Sequence, residues 1–278
     1  MPRSSKRPRP PCRKVATAVQ ISSPENPKVK DLRSLHRRSA RYGERLFLVE
    51  GVRLVEEALQ AGIPLQTALY VPERLEETAR GTALRVRLTA SPAAFSTTPQ
   101  ILDTVADTVT PQGVVAAVPY PDLPPRPEGL VLILDRLRDP GNCGTILRTA
   151  EAAGVGLVCF APGTVDPFSP KVVRAGMGAH FRLPLRVATG WDEIASIVAS
   201  RQVLLADIRS GRPYDTVDWQ TPTALIIGGE AEGASEKAHR LATETVFIPM
   251  AGAAESLNAA VAAGILLFAA LRQREKTS

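Results

Sequence analysis

Four short runs constrain this chain most: LVLILD at 130–135, GLVCFA at 156–161, VLLADI at 203–208 and ALIIGG at 224–229. None alternates apolar with polar residues, so none suits a strand with one wet face. Strands lose that alternation when both faces are covered, which is the habit of parallel sheets crossed by helices. Helical stretches at 145–153 and 170–177 separate some of the runs, and TVFIPM at 245–250 adds a strand before a terminal helix. Strands separated by helices predict an α/β domain with a mainly parallel sheet.

A smaller alternation precedes it. Residues 46–49, 67–71, 84–88 and 113–118 read as strands, with helices expected at 52–61 and 73–79. Between the two alternations, residues 119–129 hold five prolines in eleven positions. Such a segment continues neither a helix nor a central strand and acts as a stiff spacer. The expected division is a disordered basic tail over 1–22, a small α/β domain over 23–118, the proline-rich linker over 119–129, and the parallel-sheet domain over 130–278. The full length of 278 residues suits one large or two ordinary domains.

Charge is unevenly spread. Residues 1–45 carry thirteen Lys/Arg against Glu25, Asp31 and Glu44, while the remainder holds 21 bases and 25 acids. A helix expected over 26–42 would bury Val29, Leu32 and Leu35 on one side. Lys28, Lys30, Arg33, Arg37, Arg38 and Arg41 would load the rest of its surface. A basic front on a near-neutral body points to a polyanion such as nucleic acid, the alternative being a solubilising face. Phosphate contacts from these residues would give affinity without base specificity.

Cys12, Cys143 and Cys159 have neither an even count nor metal-ligand spacing, and the three histidines are scattered. They read as free thiols in a reducing compartment, with no metal site expected. The longest apolar run, 259–271, falls short of the roughly 18 residues that span a bilayer. No signal-peptide core follows the start, and prolines spoil the opening basic stretch as a transit helix. A cytoplasmic protein is expected, without a membrane partner.

Ligands of open α/β sheets gather beyond the carboxyl ends of the strands. Three stretches stand there. In DRLRDPGNCGTILRTAEAAG, 135–154, Gly141 and Gly144 permit close backbone approach, Asn142 offers donor and acceptor, and Arg148 follows in the helix. An ordinary βα turn is the alternative on glycine spacing alone. In IIGGEAEGAS, 226–235, a strand ends in Gly228 and Gly229 with Glu230 close behind; Glu232 and Ser235 read as the opening of the next helix. In IPMAGAAESLNAAVAAGILLFAALR, 248–272, Glu255, Ser256 and Asn258 precede a helix apolar on nearly every side. Capping would explain one of the three. An all-round apolar helix is a buried one, and burial of its outer face implies a second subunit. A dinucleotide-binding dehydrogenase is disfavoured because no GxGxxG follows a strand.

In this order the three stretches closely resemble the SpoU/TrmH family of RNA ribose 2′-O-methyltransferases, of the SPOUT class. Asn142, Gly144 and Arg148 match its Asn-x-Gly and following arginine. Gly228, Glu230 and Gly233 match its Gly-x-Glu-x-x-Gly strand end. Ile248, Pro249, Met250, Ser256, Leu257 and Asn258 match its Ile-Pro-Met and Ser-Leu-Asn. SPKVVRAGMGAHFRLP, 169–184, fits the stretch between motifs, with Gly176 where the family often has Ser and Ala259-Ala260 where it often has Val-Ser. FLVEGVRLVEEAL, 47–59, and TPQGVVAAV, 110–118, are similar to the family's L30e-like substrate-binding domain.

The resemblance implies a parallel-sheet SPOUT domain whose C-terminal segment forms a trefoil knot, which nothing in the hydrophobic pattern shows. It implies methyl transfer from S-adenosyl-L-methionine to a ribose 2′-hydroxyl, without metal. Asn142, Arg148, Glu230, Ser256 and Asn258 would be catalytic; Gly228, Gly229, Ile248 and Leu257 would hold the cofactor. Arg148 could take the proton or stabilise developing alkoxide charge. The expected substrate is RNA, ribosomal ahead of transfer because of the N-terminal domain, and the expected assembly is a homodimer through the C-terminal helix. A non-catalytic RNA-binding or ribosome-assembly factor on the same fold is the other reading.

Overall fold

The structure, a computed structural model, describes residues 19–208, 210–230, 232–252 and 255–275. Among these, the strands form two sheets, one of five strands and one of seven. The smaller sheet uses β1 (Gln20–Ile21) and, after helices α1 (Pro27–Ser34) and α2 (Arg38–Glu44), β2 (Leu46–Glu50). It continues through α3 (Val52–Gln60), β3 (Thr67–Tyr70), α4 (Pro72–Glu76), α5 (Ala79–Thr89), β4 (Ala94–Thr97), α6 (Pro99–Asp103) and β5 (Val114–Pro119). Its order is β1-β4-β3-β5-β2, with β5 antiparallel to both neighbours.

The larger sheet is parallel in every recorded pairing, as the unalternating runs predict. Its elements are β6 (Val131–Asp135), α7 (Pro140–Ala152), β7 (Leu157–Phe160), α8 (Pro170–Gly176), β8 (Leu185–Val187) and α9 (Trp191–Val198). Then follow β9 (Gln202–Ala206), β10 (Arg212–Pro213), β11 (Thr223–Gly228), α10 (Glu236–Leu241), β12 (Glu244–Phe247) and α11 (Ala259–Glu275). The order is β10-β12-β9-β11-β6-β7-β8. One face packs Leu132, Leu134, Ile146, Leu147, Leu266 and Leu267 under α7 and α11. The other packs Ile133, Ile194, Val198 and Ile226 under α9 and α10. Covered on both sides, these strands have no place for polar alternation.

Several expectations are corrected. The tail 1–22 is not wholly unstructured: Gln20 and Ile21 pair with Ser96 and Thr97, while 1–18 lie outside the described residues. The single helix over 26–42 is two. Arg41 Nη1 donates to the carbonyls of Leu35 and His36 at 2.7 and 2.8 Å, taking acceptors that a continuing helix would use, and Arg37 is extended. The strand expected at 84–88 is the C-terminal half of α5. Leu84 and Leu88 are fully buried and Val86 is 66% exposed, which fits i, i+4 spacing as well as alternation. Thr78 caps that helix by accepting from Gly81 N, and the strand falls later, at β4. The helix at 73–79 shrinks to α4. The edge elements β8, α9 and β10 were not anticipated.

Two corrections bear on the site. Helix α7 starts at Pro140, not near 145. Asp139 caps it by accepting from Asn142 N at 2.6 Å, and a proline in the first position lacks only an N–H with no helical partner. Helix α11 starts at Ala259, so Glu255 and Ser256 lie ahead of it. Within the single chain its outer face stays open, with Val261 and Phe268 51% and 47% exposed.

The two sheets share a core. Phe168, Val173 and Phe181 of the larger unit pack with Phe47, Val49 and Leu54 of the smaller. Gly176, the departure noted in the sequence, sits there too: a Cβ on it would stand 2.9 Å from His180 Cε1.

Candidate functional site

The carboxyl ends of β9, β11 and β12 open on a cavity of about 440 Å³. That is within the usual range for a small-ligand pocket, roughly 300–1,000 Å³. Register aligns Gly228 at the end of β11 with Asp135 at the end of β6. Asp135 is buried, and its Oδ2 accepts from Ser235 N at 2.6 Å, which ties the loop after β11 back to the sheet.

Glycine at 228 and 229 is required by close approach. A Cβ on Gly228 would meet Ala234 N at 2.6 Å, and one on Gly229 would meet the Arg136 carbonyl oxygen at 2.3 Å. Main chain rather than side chain therefore forms this wall. Opposite it run Ile248, Met250, Glu255, Ser256, Leu257 and Asn258.

At the mouth, three side chains from three distant segments form a one-way relay. Asn258 Oδ1 accepts from the N–H groups of Ala260 and Val261, at 2.9 and 3.3 Å, which caps α11. Its Nδ2 donates to Asn142 Oδ1 at 2.9 Å, and Asn142 Nδ2 donates to Glu230 Oε1 at 2.7 Å. A backbone N–H only donates, so Asn258 must turn Oδ1 to α11 and Nδ2 to Asn142 Oδ1, which leaves Asn142 Nδ2 toward Glu230. Each Nδ2 keeps a second N–H for a ligand.

The profile of the SpoU rRNA methylase family matches residues 129–268, half of the chain. This chain belongs to that family. The MRM3-like substrate-binding domain matches residues 26–116. An uncharacterized tRNA/rRNA methyltransferase of Synechocystis is 36% identical over 92% of this chain and 94% of its own. The 23S rRNA (guanosine(2553)-2′-O)-methyltransferase RlmP of Bacillus subtilis is 34% identical over 90% and 98%. The crystal structure of the SpoU methyltransferase AviRb from Streptomyces viridochromogenes, in complex with AdoMet, superposes with a TM-score of 0.80. It is 33% identical and covers 90% of this chain and 99% of that one.

Of the residues singled out in this SpoU family member, Gly228, Gly229, Glu230, Ile248, Ser256, Leu257 and Asn258 all line the cavity. Asn142 joins them through its two side-chain hydrogen bonds, to Asn258 and Glu230. Arg148 does not. It is exposed on α7, six residues past Asn142, and at 3.6 residues per turn it points about a third of a turn away. Gly144 faces no ligand: a Cβ there would stand 2.3 Å from Ala175 Cβ, so this glycine lets α7 and α8 cross closely.

Lining residues that sequence reading missed include Asp207, Ile208 and His239; Glu232, read as the opening of the next helix, lines the cavity too. Asp207 and Ile208 follow β9, a third strand end beside the two recognised ones, and that adjacency was their only signal. Glu232 opens no helix; it pairs with Arg136 and Arg138 at 3.1 and 2.9 Å, and Ser235 caps α10 instead.

Among the six basic residues assigned to RNA, Arg33, Arg37 and Arg38 are exposed, Lys30 is exposed and paired with Glu25, and Lys28 lies 4.6 Å over the Phe95 ring. Arg41 is the exception. It is 3% exposed and turned inward, because its guanidinium is consumed by Asp166 and the carbonyls at the end of α1.

Burial pushes the Cys143 and Cys159 thiols up to about 12, so neither is a nucleophile near neutrality. Among the described residues no group of three His, Cys, Asp or Glu stands placed to hold a metal, and no helix is long and apolar enough to cross a membrane.

Proposed function

We propose that this chain transfers a methyl group from S-adenosyl-L-methionine to a ribose 2′-hydroxyl of ribosomal RNA, of the 23S type. The observation that carries the reading is the Asn258–Asn142–Glu230 relay at the mouth of a main-chain-walled pocket. Gly228, Gly229, Ile248 and Leu257 form walls that suit adenine and ribose, whose edges hydrogen-bond to backbone groups. When bound, S-adenosylmethionine supplies an electrophilic methyl group on a sulfonium.

The residues then orient a nucleotide sugar against that pocket. The spare amide N–H groups of Asn142 and Asn258 point where oxygen charge develops and stabilise it. Ser256 lines the same rim. Arg148 acts as the proton acceptor or as a guanidinium that holds a phosphate and offsets alkoxide charge.

Its exposure on α7 supports a role across a homodimer formed through α11. A Cβ on Gly264 of α11 would lie 3.7 Å from Thr149 of α7, the residue after Arg148, so α7 passes close to the stretch of α11 between the exposed Val261 and Phe268. In this reading the segment from β12 to α11 forms a trefoil knot; its support is that Ile248, Met250, Glu255, Ser256, Leu257 and Asn258 line one pocket with the loop after β11. The division into a substrate domain at 23–118, a linker at 119–129 and a catalytic domain at 130–278 is supported by the two sheets and the two family matches, while Gln20 and Ile21 of the basic tail at 1–22 join the smaller sheet. Lys28, Lys30, Arg33, Arg37 and Arg38 supply phosphate contacts. The protein works in the cytoplasm.

Ribosomal RNA lacking 2′-O-methyl groups, incubated with labelled S-adenosylmethionine and mapped at nucleotide resolution, tests this. One new 2′-O-methyl position is expected with wild type and none with Arg148→Ala, at equal thermal stability. Methylation of transfer RNA alone would move the substrate, and no transfer to any RNA would leave a binding factor.

A further inference from the structure

We propose that Asp166, held by Arg41 and Tyr42, is the positioning residue that fixes the RNA-binding helices relative to the methyl-transfer site. This inference rests on the methyltransferase reading for its catalytic consequence. It stands on packing for the rest.

Asp166 belongs to the loop between β7 and α8. Its side chain and that of Arg41 are 8% and 4% exposed. Oδ2 accepts from Arg41 Nε at 3.1 Å and from Nη2; Oδ1 accepts from Tyr42 Oη at 3.1 Å and Phe168 N at 3.0 Å. Arg41 Nη1 is bound to the carbonyls closing α1. One carboxylate from the catalytic unit is thus locked to the junction of the two helices that carry Arg33, Arg37 and Arg38.

Other ties cross the same boundary. Arg174 reaches Asp107 at 2.7 Å, and Arg182 reaches Glu57 at 2.8 Å. These pairs are partly open to solvent, where ion pairs give little fixed direction. Asp166 differs because desolvation makes each of its hydrogen bonds both strong and directional.

The contact is continuous with the site. Asp166 leads into α8, whose Val172 and Ala175 press against Gly144 of α7. Two residues earlier on α7 stands Asn142. A rotation of the basic helices about this point would carry a bound RNA away from the relay, while leaving both binding surfaces intact.

The test uses the full chain with Asp166→Asn, which keeps shape but loses charge, and Tyr42→Phe, which removes one O–H. Calorimetry should give an affinity for S-adenosylmethionine close to wild type, and filter binding should give the same for rRNA. The single-turnover methylation rate should fall about a hundredfold in Asp166→Asn, the scale of loss for a misplacement of about 1 Å, with methyl groups appearing at neighbouring nucleotides. Tyr42→Phe should show the same split at smaller size. A second readout is independent of activity: spin labels on Ser39→Cys and Ser196→Cys, in a Cys12→Ser background, should give a narrow distance distribution that broadens with either variant. An unchanged distribution overturns the proposal whether or not the wild type methylates RNA. A wild type that never methylates overturns the functional reading instead. Should Asp166→Asn fail to fold, Tyr42→Phe decides.

Discussion

Asn258 donates from Nδ2 to Oδ1 of Asn142 at 2.9 Å, although 116 positions separate them. The bond joins the cap of α11 to the first turn of α7, and through Asn142 to Glu230 after β11. Two helix starts and one strand end are thereby tied at a point.

The two amides should behave as a unit. Asn142→Ala is expected to lower the single-turnover rate at saturating S-adenosylmethionine by about a hundredfold, the usual loss of one stabilising donor. Asn142→Ala with Asn258→Ala should cost little more than either alone. Multiplicative losses would mean that the amides act separately.

Gly229→Ala should weaken S-adenosylmethionine binding and lower stability by about 1–3 kcal/mol, because its Cβ would meet the Arg136 carbonyl. Gly43→Ala is the control. A Cβ there meets nothing within 4 Å, and the position lies in α2, so stability should rise by up to about 1 kcal/mol. Calorimetry and thermal melts measure both; equal responses would contradict the packing argument.

His180 should make the fold acid-sensitive. Burial lowers its pKa from 6.5 to about 4, while Nε2 lies 2.7 Å from the Pro167 carbonyl. The depressed value means that protons bind the unfolded chain more readily. This contribution is complete above pH 6.5 and is lost as pH falls toward 4, amounting to roughly 3 kcal/mol by that point. Melting midpoints between pH 7 and 4 should drop less for His180→Gln than for wild type. Parallel curves would remove His180 as a cause.

Val261→Glu with Phe268→Glu should convert a dimer into a monomer in sedimentation velocity and abolish methyl transfer. Both side chains are about half exposed, one heptad apart on α11. A wild type that sediments as a monomer at micromolar concentration would end the dimer reading.

Arg37→Gln with Arg38→Gln should weaken RNA binding and reduce the salt slope by about 0.7–0.9 per lost phosphate contact. Arg41→Gln should act differently. It removes one member of a buried pair, so a stability loss of about 3–5 kcal/mol is expected in denaturant titration. A purely salt-dependent binding defect in Arg41→Gln would mean that this guanidinium faces RNA after all.

Much of the site was legible because its chemistry sits at strand ends. Runs such as ALIIGG announce a buried parallel strand, and whatever follows one stands at the ligand-bearing edge. Gly228 and Glu230 stand at such an end, and the motif resemblance added Asn142, Ser256 and Asn258. Asp207 was not, because one strand end looks like another until register places β9 beside β11. Leu84 and Leu88 mark the limit of pattern reading, since two leucines four apart satisfy a strand and a helix equally; the Thr78 cap decided it.

Local sequence determined which segments are strands buried on both faces and which residue types are available for chemistry. Period and propensity act over a few neighbours, so one chain suffices to show them. Which way a side chain points across the molecule was decided only by tertiary packing. Arg41 and Arg38 are indistinguishable as letters in one basic run, yet one is sealed against Asp166 and the other faces solvent. The difference comes from a carboxylate 125 positions away, which no local rule can see.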